Sequence, residues 1–119
     1  MKAPDVVDNL LAANQIEIKP VATAYNWNGL ERPLAWFQGD DFPNAKAAGA
    51  FIGSQMVGSL VYEIIPGEML WLDHAFVKEK YRRQGIFRQM VQWLRMQAPG
   101  LPLQGVPRHP AVDRLLGAR

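Results

Sequence analysis

The chain contains no cysteine in its 119 residues. Disulfide bonds, thiolate nucleophiles and thiolate zinc sites are therefore excluded, and a reducing compartment is permitted. There is also no apolar run long enough to cross a membrane, and Met1–Asp5 lacks the apolar core of a signal peptide. Repeats, linkers and low-complexity tracts are missing as well. We therefore expect a single cytoplasmic domain over residues 1–119, with an ordinary composition of 49% hydrophobic and 20% charged residues.

The two signs of charge are unevenly distributed along the chain. Residues 1–77 hold four Lys or Arg against nine Asp or Glu, a net charge of −5, whereas residues 78–119 hold nine against two, a net charge of +7. A basic half suits an anionic ligand and an acidic half would attract a cationic one, although two solvated faces would give the same counts. Nucleic acid is disfavoured as a partner, because the Arg residues form no dense basic face with a stacked aromatic platform.

The most informative stretch is 70–96, where the pattern predicts a strand, a basic turn and an amphipathic helix. Leu70–Val77 is mostly apolar, a charged link follows, and Arg82–Arg88 contains Gly85. After this glycine the apolar positions recur at helical spacing, until Pro99–Gly100 stops the helix. A glycine-containing turn between a strand and a helix presents unpaired backbone N–H groups and the positive end of the helix dipole. This stretch therefore predicts an anion-binding site.

Apolar alternation, helical spacing and turn residues predict the other elements. They are a helix over Pro4–Ala13, a strand over Gln15–Lys19, two strands within Ala50–Ile65 around a turn at Gly53–Gln55, a turn at Pro66–Glu68, a short strand over Leu101–Val106 and a helix over Ala111–Gly117. Pro20 limits the first strand or places it at a sheet edge. The strand at 70–77 follows two antiparallel neighbours, and a helix crossover makes the strand after it parallel.

Aromatic residues are concentrated between Val21 and Ala48, where Gly, Pro and Asp favour short helices between loops over strands. They are Tyr25, Trp27, Trp36, Phe37 and Phe42. Such rings, mixed with acidic residues, would line a pocket for an amine through cation–π contacts. The alternative is that each ring fills the core of a small domain.

Val77, a link and the run from Tyr81 to Ile86 resemble the signature of the GCN5-related N-acetyltransferase (GNAT) family. The family's acetyl-CoA motif is Gln/Arg-x-x-Gly-x-Gly/Ala after a strand ending in valine. Arg82 and Gly85 match its first and fourth positions, whereas Phe87 replaces the small sixth residue and would either crowd the pyrophosphate or turn into the core. The resemblance implies an α/β (α+β) fold with a GNAT-like mixed central sheet. The sheet would be mostly antiparallel, with a parallel crossover pair around the acetyl-CoA helix, and shortened at its C-terminal end.

The resemblance also implies acetyl-CoA as the acyl donor. The residues expected to bind it are Ala75, Phe76, Val77, Arg82, Arg83, Gln84, Gly85, Ile86, Phe87 and Arg88, together with His109 near the position of a family asparagine. The amides of Phe76 and Val77 would polarise the thioester carbonyl, and the amides of the turn would hold the pyrophosphate.

Asp73 is the first candidate for the base that takes the amine proton, and its neighbour His74 is the second. Glu63 and Glu68 are fallbacks, although they suit solvated charges at strand ends. On a regular strand Asp73 shares a face with Ala75 and Val77. The family often has a catalytic carboxylate or imidazole on that face of this strand. His74 points the other way unless a bulge intervenes, and a single His in an apolar strand also suits a packing role. The pair is too small for a metal site.

The general acid has no obvious candidate, because Leu116 stands where the family tends to have a tyrosine. Tyr81, Tyr62 or water would replace it, or the thiolate would leave without help. The last two family strands are also missing, so a dimer partner, another protein or the N-terminal helix would cover the sheet edge.

Two functions are consistent with this sequence. The first is an acetyl-CoA-dependent N-acetyltransferase that acts on a primary amine of a small molecule, a protein lysine or a protein N-terminus. The alternative is a non-catalytic GNAT-like module used for protein binding or assembly, which the departures at Phe87 and Leu116 favour.

Overall fold

The computed structural model describes residues 15–105 as a mixed α/β arrangement. In chain order its elements are β1 (Ile16–Val21), β2 (Thr23–Tyr25), β3 (Glu31–Pro33), α1 (Leu34–Phe37), β4 (Lys46–Ile52), β5 (Gln55–Ile65), β6 (Met69–Val77), a 3-10 turn (Glu79–Tyr81), α2 (Ile86–Gln97) and β7 (Leu103–Gly105). Five strands form one sheet in the order β1-β4-β5-β6-β7, and β2 pairs with β3 in a separate hairpin. The predicted fold class is confirmed. None of the helices between residues 15 and 105 is long and apolar enough to span a membrane.

The central sheet is antiparallel from β1 to β6 and parallel between β6 and β7. Both predicted turns beside β5 are present, and Gly67 in the second has a φ of 74°. The predicted parallel strand after the helix is confirmed as β7. Among the described strands β1 is at one end of the sheet, where it runs on through Pro20 to Val21, since an edge strand tolerates a residue without an N–H.

The prediction of short helices between Val21 and Ala48 is wrong, because this segment contains the β2–β3 hairpin and only the four-residue helix α1 before β4 begins. The hairpin turn is closed by the buried Asn26, whose Oδ1 accepts hydrogen bonds from the N–H groups of Asn28 at 2.9 Å and Leu30 at 3.0 Å. An Asn side chain that replaces backbone partners in this way forms a turn without any hydrophobic periodicity. The sequence pattern therefore did not reveal the hairpin.

Helix α2 covers one face of the sheet and contributes many of the core side chains. Its buried residues meet those of the sheet in one cluster that includes Leu60, Leu70, Leu72, Leu103, Ile86, Met90 and Leu94. Each fully buried side chain of this size stabilises the fold by about 1.5–3 kcal/mol. The apolar periodicity that predicted the helix also packs it against the sheet.

The opposite face of the sheet is covered by the hairpin, by α1 and by the loop that follows it. Ala24, Ala45, Ala47 and Val61 are buried there, with half-buried apolar side chains such as Phe37 packed against them. The two faces therefore have different covers, a long helix on one side and short aromatic-rich segments on the other. The helices predicted at 4–13 and 111–117 lie outside the described residues.

Candidate functional site

Strand β6 has β7 beside it along only part of its length. In the part of the chain that the structure describes, β7 pairs with Leu70, Trp71 and Leu72 and with no later residue of β6. On its other side, β6 remains paired with β5 as far as Val77. Between residues 15 and 105, the C-terminal half of β6 therefore has one strand neighbour where its N-terminal half has two.

The backbone of this half-paired segment points alternate N–H groups to its two sides. The N–H of Lys78 donates to the carbonyl of Val57 in β5 at 2.9 Å. Because N–H groups alternate along a strand, that of Phe76 also points to β5, and those of Ala75 and Val77 point to the β7 side. We expected the amides of Phe76 and Val77 to serve together, but the strand directs Ala75 and Val77 to the same side.

Arg82 is attached to the end of β6. Its Nε donates to the carbonyl of Val77 at 2.7 Å, and its guanidinium carbon lies 5.2 Å from the centre of the Phe76 ring. The first arginine of the motif therefore contacts β6 itself, although its side chain is exposed.

The turn that leads into α2 has an unusual backbone conformation. Arg83 has a φ of 65° and Gly85 a φ of 82°, with Gln84 between them. The first helical hydrogen bond runs from the amide of Gln89 to the carbonyl of Gly85, at 3.0 Å, so the amides of the three preceding helical residues have no acceptor within the helix. Such a concave run of N–H groups at a helix N-terminus binds anions.

The same turn leaves room for a ligand. A Cβ placed on Gly85 would meet no atom within 4 Å, so the space in front of its backbone is open. The side chain of Phe87 is half-buried and packs against the core under α2, and Ile86 is fully buried. Of the two orientations considered for Phe87, the structure has the one directed into the core. The residues of the turn therefore fit a phosphate-bearing group such as that of acetyl-CoA.

Asp73 interrupts the regular alternation of β6. The register pairs Tyr62 with Leu72 and Val61 with His74, so Asp73 is the extra residue of a β-bulge. The expectation that Asp73 shares a face with Ala75 and Val77 assumed a regular strand and does not apply at this bulge. Its side chain is half-buried.

The bulge places His74 on the face that the aromatic segments cover. His74 is 7% exposed, and its ring centroid lies 6.0 Å from that of Trp27 and 5.9 Å from that of Phe37. Trp36 completes this group, 6.0 Å from Trp27 and 4.9 Å from Phe37. We call the four residues Trp27, Trp36, Phe37 and His74 the aromatic cluster.

The sequence singled out these aromatic residues but not their assembly around His74. Trp27 comes from the hairpin turn, Trp36 and Phe37 from α1, and His74 from β6. The signal that could have located them was the Asn26-Trp27-Asn28-Gly29 run, which is typical of a tight turn that presents its second residue to solvent. Phe76 lies on the same side of the sheet as the hairpin, since its ring lies 5.6 Å from that of Tyr25 in β2.

The tyrosines considered as general acids lie elsewhere. Tyr62 is buried in the core under α2, with its ring at 75° to that of Trp93. Burial raises the pKa of the Tyr62 hydroxyl above its ordinary value of 10.0. Tyr81 is half-buried and packs against the same core. His109 and Leu116 lie outside the described residues, so their expected roles remain predictions.

Comparisons with known proteins agree with the fold. The profile of the acetyltransferase (GNAT) family matches residues 11–108 of the chain. A search of curated proteins finds no match.

Several solved structures are similar at low sequence identity. The ribosomal-protein-alanine N-acetyltransferase from Brucella melitensis is 19% identical, and the match covers 85% of this chain and 87% of that one with a TM-score of 0.55. A GNAT family acetyltransferase from Elizabethkingia anophelis with acetyl-CoA bound is 18% identical over 88% and 74% of the two chains, with a TM-score of 0.59. An aminoglycoside N-acetyltransferase in complex with CoA is 14% identical over 86% and 88%, with a TM-score of 0.52. These likenesses show a shared fold.

Proposed function

The chain belongs to the acetyltransferase (GNAT) family, and on that premise we propose that it transfers acetyl from acetyl-CoA to a primary amine. The acceptor amine would belong to a small molecule, a protein lysine or a protein N-terminus. The observation that carries the proposal is the pair of N–H sets on either side of one turn, those of Ala75 and Val77 on the β7 side of β6 and those at the start of α2, with Arg82 of the turn bonded to Val77.

Each part of this region has a separate task in the proposal. The amides of Ile86, Phe87 and Arg88 bind the pyrophosphate at the positive end of the α2 dipole. The bound acetyl-CoA supplies an activated thioester. The N–H groups of Ala75 and Val77 donate to the thioester carbonyl oxygen, where negative charge increases during transfer.

The proton of the amine needs an acceptor close to the amides of Ala75 and Val77. We assign it to Asp73, because this residue is only half-buried, whereas His74 is almost fully covered by the aromatic cluster. The acceptor nitrogen bonds to the acetyl carbon, its proton passes to the Asp73 carboxylate and the C–S bond breaks. The products are an amide and CoA, whose thiolate takes a proton from water.

The first test is ligand binding. A ligand that binds the native state selectively raises the melting temperature. We expect CoA and acetyl-CoA to raise that of the purified protein, and acetyl transfer to appear with members of a panel of polyamines and peptides. Stabilisation by CoA without transfer to any amine would favour the non-catalytic alternative, and no stabilisation would contradict the proposed use of acetyl-CoA.

The second test concerns the base. Asp73→Asn keeps the size of the side chain but removes its ability to accept a proton as a carboxylate. We expect a loss of transfer rate of about 10²-fold or more, with CoA binding unchanged. An unchanged rate would assign the proton to another group, and His74→Gln would then be measured in the same assay.

A further inference from the structure

Two tryptophan rings lie exposed on the face of the sheet that carries His74. Trp27 is 61% exposed at the hairpin turn and Trp36 is 48% exposed in α1. Their centroids are 6.0 Å apart and the rings are inclined at 52°. Large aromatic rings that are exposed next to each other mark a surface that binds a ligand or partner.

Both tryptophans are carried by segments with defined hydrogen bonds or ring contacts. The Asn26 side chain holds the turn that carries Trp27 through its two hydrogen bonds to backbone N–H groups. Phe37 lies between Trp36 and His74, with centroid distances of 4.9 Å and 5.9 Å. The turn backbone that carries Trp27 and the ring packing beside Trp36 are therefore formed before any ligand arrives, which lowers the entropic cost of binding.

The chain segment that supplies both tryptophans is acidic, which favours a cation as the ligand. Residues 22–45, which supply both tryptophans, contain Glu31, Asp40 and Asp41 against Arg32 alone, a net charge of −2. All three acidic side chains are exposed. An indole face attracts an ammonium group most strongly where nearby acidic residues add to the same potential.

At the other end of the same sheet face, two cationic side chains lie close to aromatic rings. Lys78 Nζ lies 5.5 Å from the centre of the Tyr25 ring, and the Arg82 guanidinium carbon lies 5.2 Å from that of Phe76. These two charges disfavour a protonated amine near the end of β6 and so favour the neutral form, which is the form that reacts. The two ends of this face therefore suit two different groups.

We propose that Trp27 and Trp36 bind a second cationic group of the acceptor, so that the preferred acceptors are molecules with a primary amine and another ammonium group. This rests on the proposed acetyl transfer and specifies its substrate class. The reacting amine lies at the end of β6, and the second ammonium group lies on the indole faces. The aromatic cluster contacts β6 at His74, and the amides assigned to the thioester begin at Ala75, so a short diamine can bridge the few residue steps of about 3.3 Å each between them.

The test compares cadaverine with pentylamine, which has the same carbon chain but lacks the second amine. In the wild-type protein with acetyl-CoA we expect a KM for cadaverine at least about tenfold below that for pentylamine. Trp36→Leu should raise the cadaverine KM by about the same factor while leaving kcat and the pentylamine KM unchanged. Trp36→Phe, which keeps an aromatic face, should give a smaller increase.

Trp93→Phe is the matched control, because Trp93 lies on the opposite face of the sheet and packs against Tyr62. It should leave the preference for cadaverine unchanged. Equal KM values for the two amines in the wild type would overturn the proposal. So would an equal increase for both amines in Trp36→Leu, since the rings would then act only as an apolar surface.

A binding measurement separates this proposal from the proposed function. Tetramethylammonium cannot be acetylated, so its binding is independent of catalysis. We expect it to shift the indole N–H signals of Trp27 and Trp36 in the NMR spectrum, and to leave that of Trp93 in place. If no amine is acetylated but these shifts occur, the acetyl transfer fails while the cation site stands; if the shifts are absent, the cation site fails.

Discussion

At the scale of single residues, Arg82 shows how a motif position can act through the backbone. Its Nε bond to the Val77 carbonyl and its position over Phe76 fix the end of the strand whose amides would polarise the thioester. A guanidinium suits this task because it can donate a directed hydrogen bond and stack on a ring at the same time. We therefore interpret Arg82 as a positioning residue rather than a phosphate ligand.

This interpretation predicts a particular pattern in kinetics. Arg82→Lys and Arg82→Gln should both lower kcat by about tenfold, because neither reproduces the guanidinium geometry, while the Kd for CoA stays within about twofold. Arg88→Gln is the comparison, since Arg88 is exposed in the first turn of α2 and would add charge beside the phosphates. A Kd that rises in Arg82→Gln but not in Arg82→Lys would instead indicate a phosphate contact.

At the scale of elements, the sequence correctly predicted the elements and turns that depend on a pattern within a short stretch of the chain. The apolar stripe of α2, the turn at Gly67 and the crossover to β7 were predicted correctly from periodicity and turn residues. The β2–β3 hairpin was missed because hydrogen bonds of the Asn26 side chain and backbone set its turn, and they leave no hydrophobic periodicity in the sequence. A bulge in β6 was considered, but its position at Asp73 is set by pairing with β5, which no pattern within β6 records.

The turn into α2 leads to a testable prediction about CoA binding. Gly85→Asp should abolish CoA binding, because the carboxylate would add bulk and negative charge where the phosphates are expected. Gly67→Asp is a matched control, because Gly67 also has a positive φ, 74° against 82°, and open space in front of it.

Both substitutions impose similar backbone strain, so each should lower the melting temperature by a similar amount. Only Gly85→Asp should remove the binding of CoA measured by calorimetry. Equal affinity for CoA in the two variants would place the phosphates elsewhere.

At the scale of the whole molecule, the sheet separates two environments. The face under α2 is a closed apolar core, whereas the opposite face carries the aromatic cluster and the proposed acceptor region. Composition and charge indicated both an acidic and a basic half, but not which sheet face each half would border. That assignment depends on contacts between residues far apart in sequence, such as Trp27 with His74.

The closed core has a consequence for alkaline stability. Burial raises the pKa of Tyr62 in the folded protein above 10.0, so its contribution to stability is complete below about pH 10 and is lost as the pH rises through the folded-state value. We expect the free energy of unfolding in urea to fall above this pH more steeply in the wild type than in Tyr62→Phe. Parallel curves for the two proteins would show that Tyr62 does not contribute to the alkaline transition.

The bulge at Asp73 also changes which residues of β6 face α2: the alternation before the bulge and the alternation after it differ by one residue. Leu70 and Leu72 belong to the core under α2, and so do Ala75 and Val77, although Ala75 follows Leu72 at an odd spacing. In a strand of this sequence that alternated regularly, His74 and Phe76 would turn towards α2, because side chains change faces with a period of two. The one inserted residue therefore lets a single strand fill the core at both of its ends while it directs His74 and Phe76 to the opposite face, where the aromatic cluster lies.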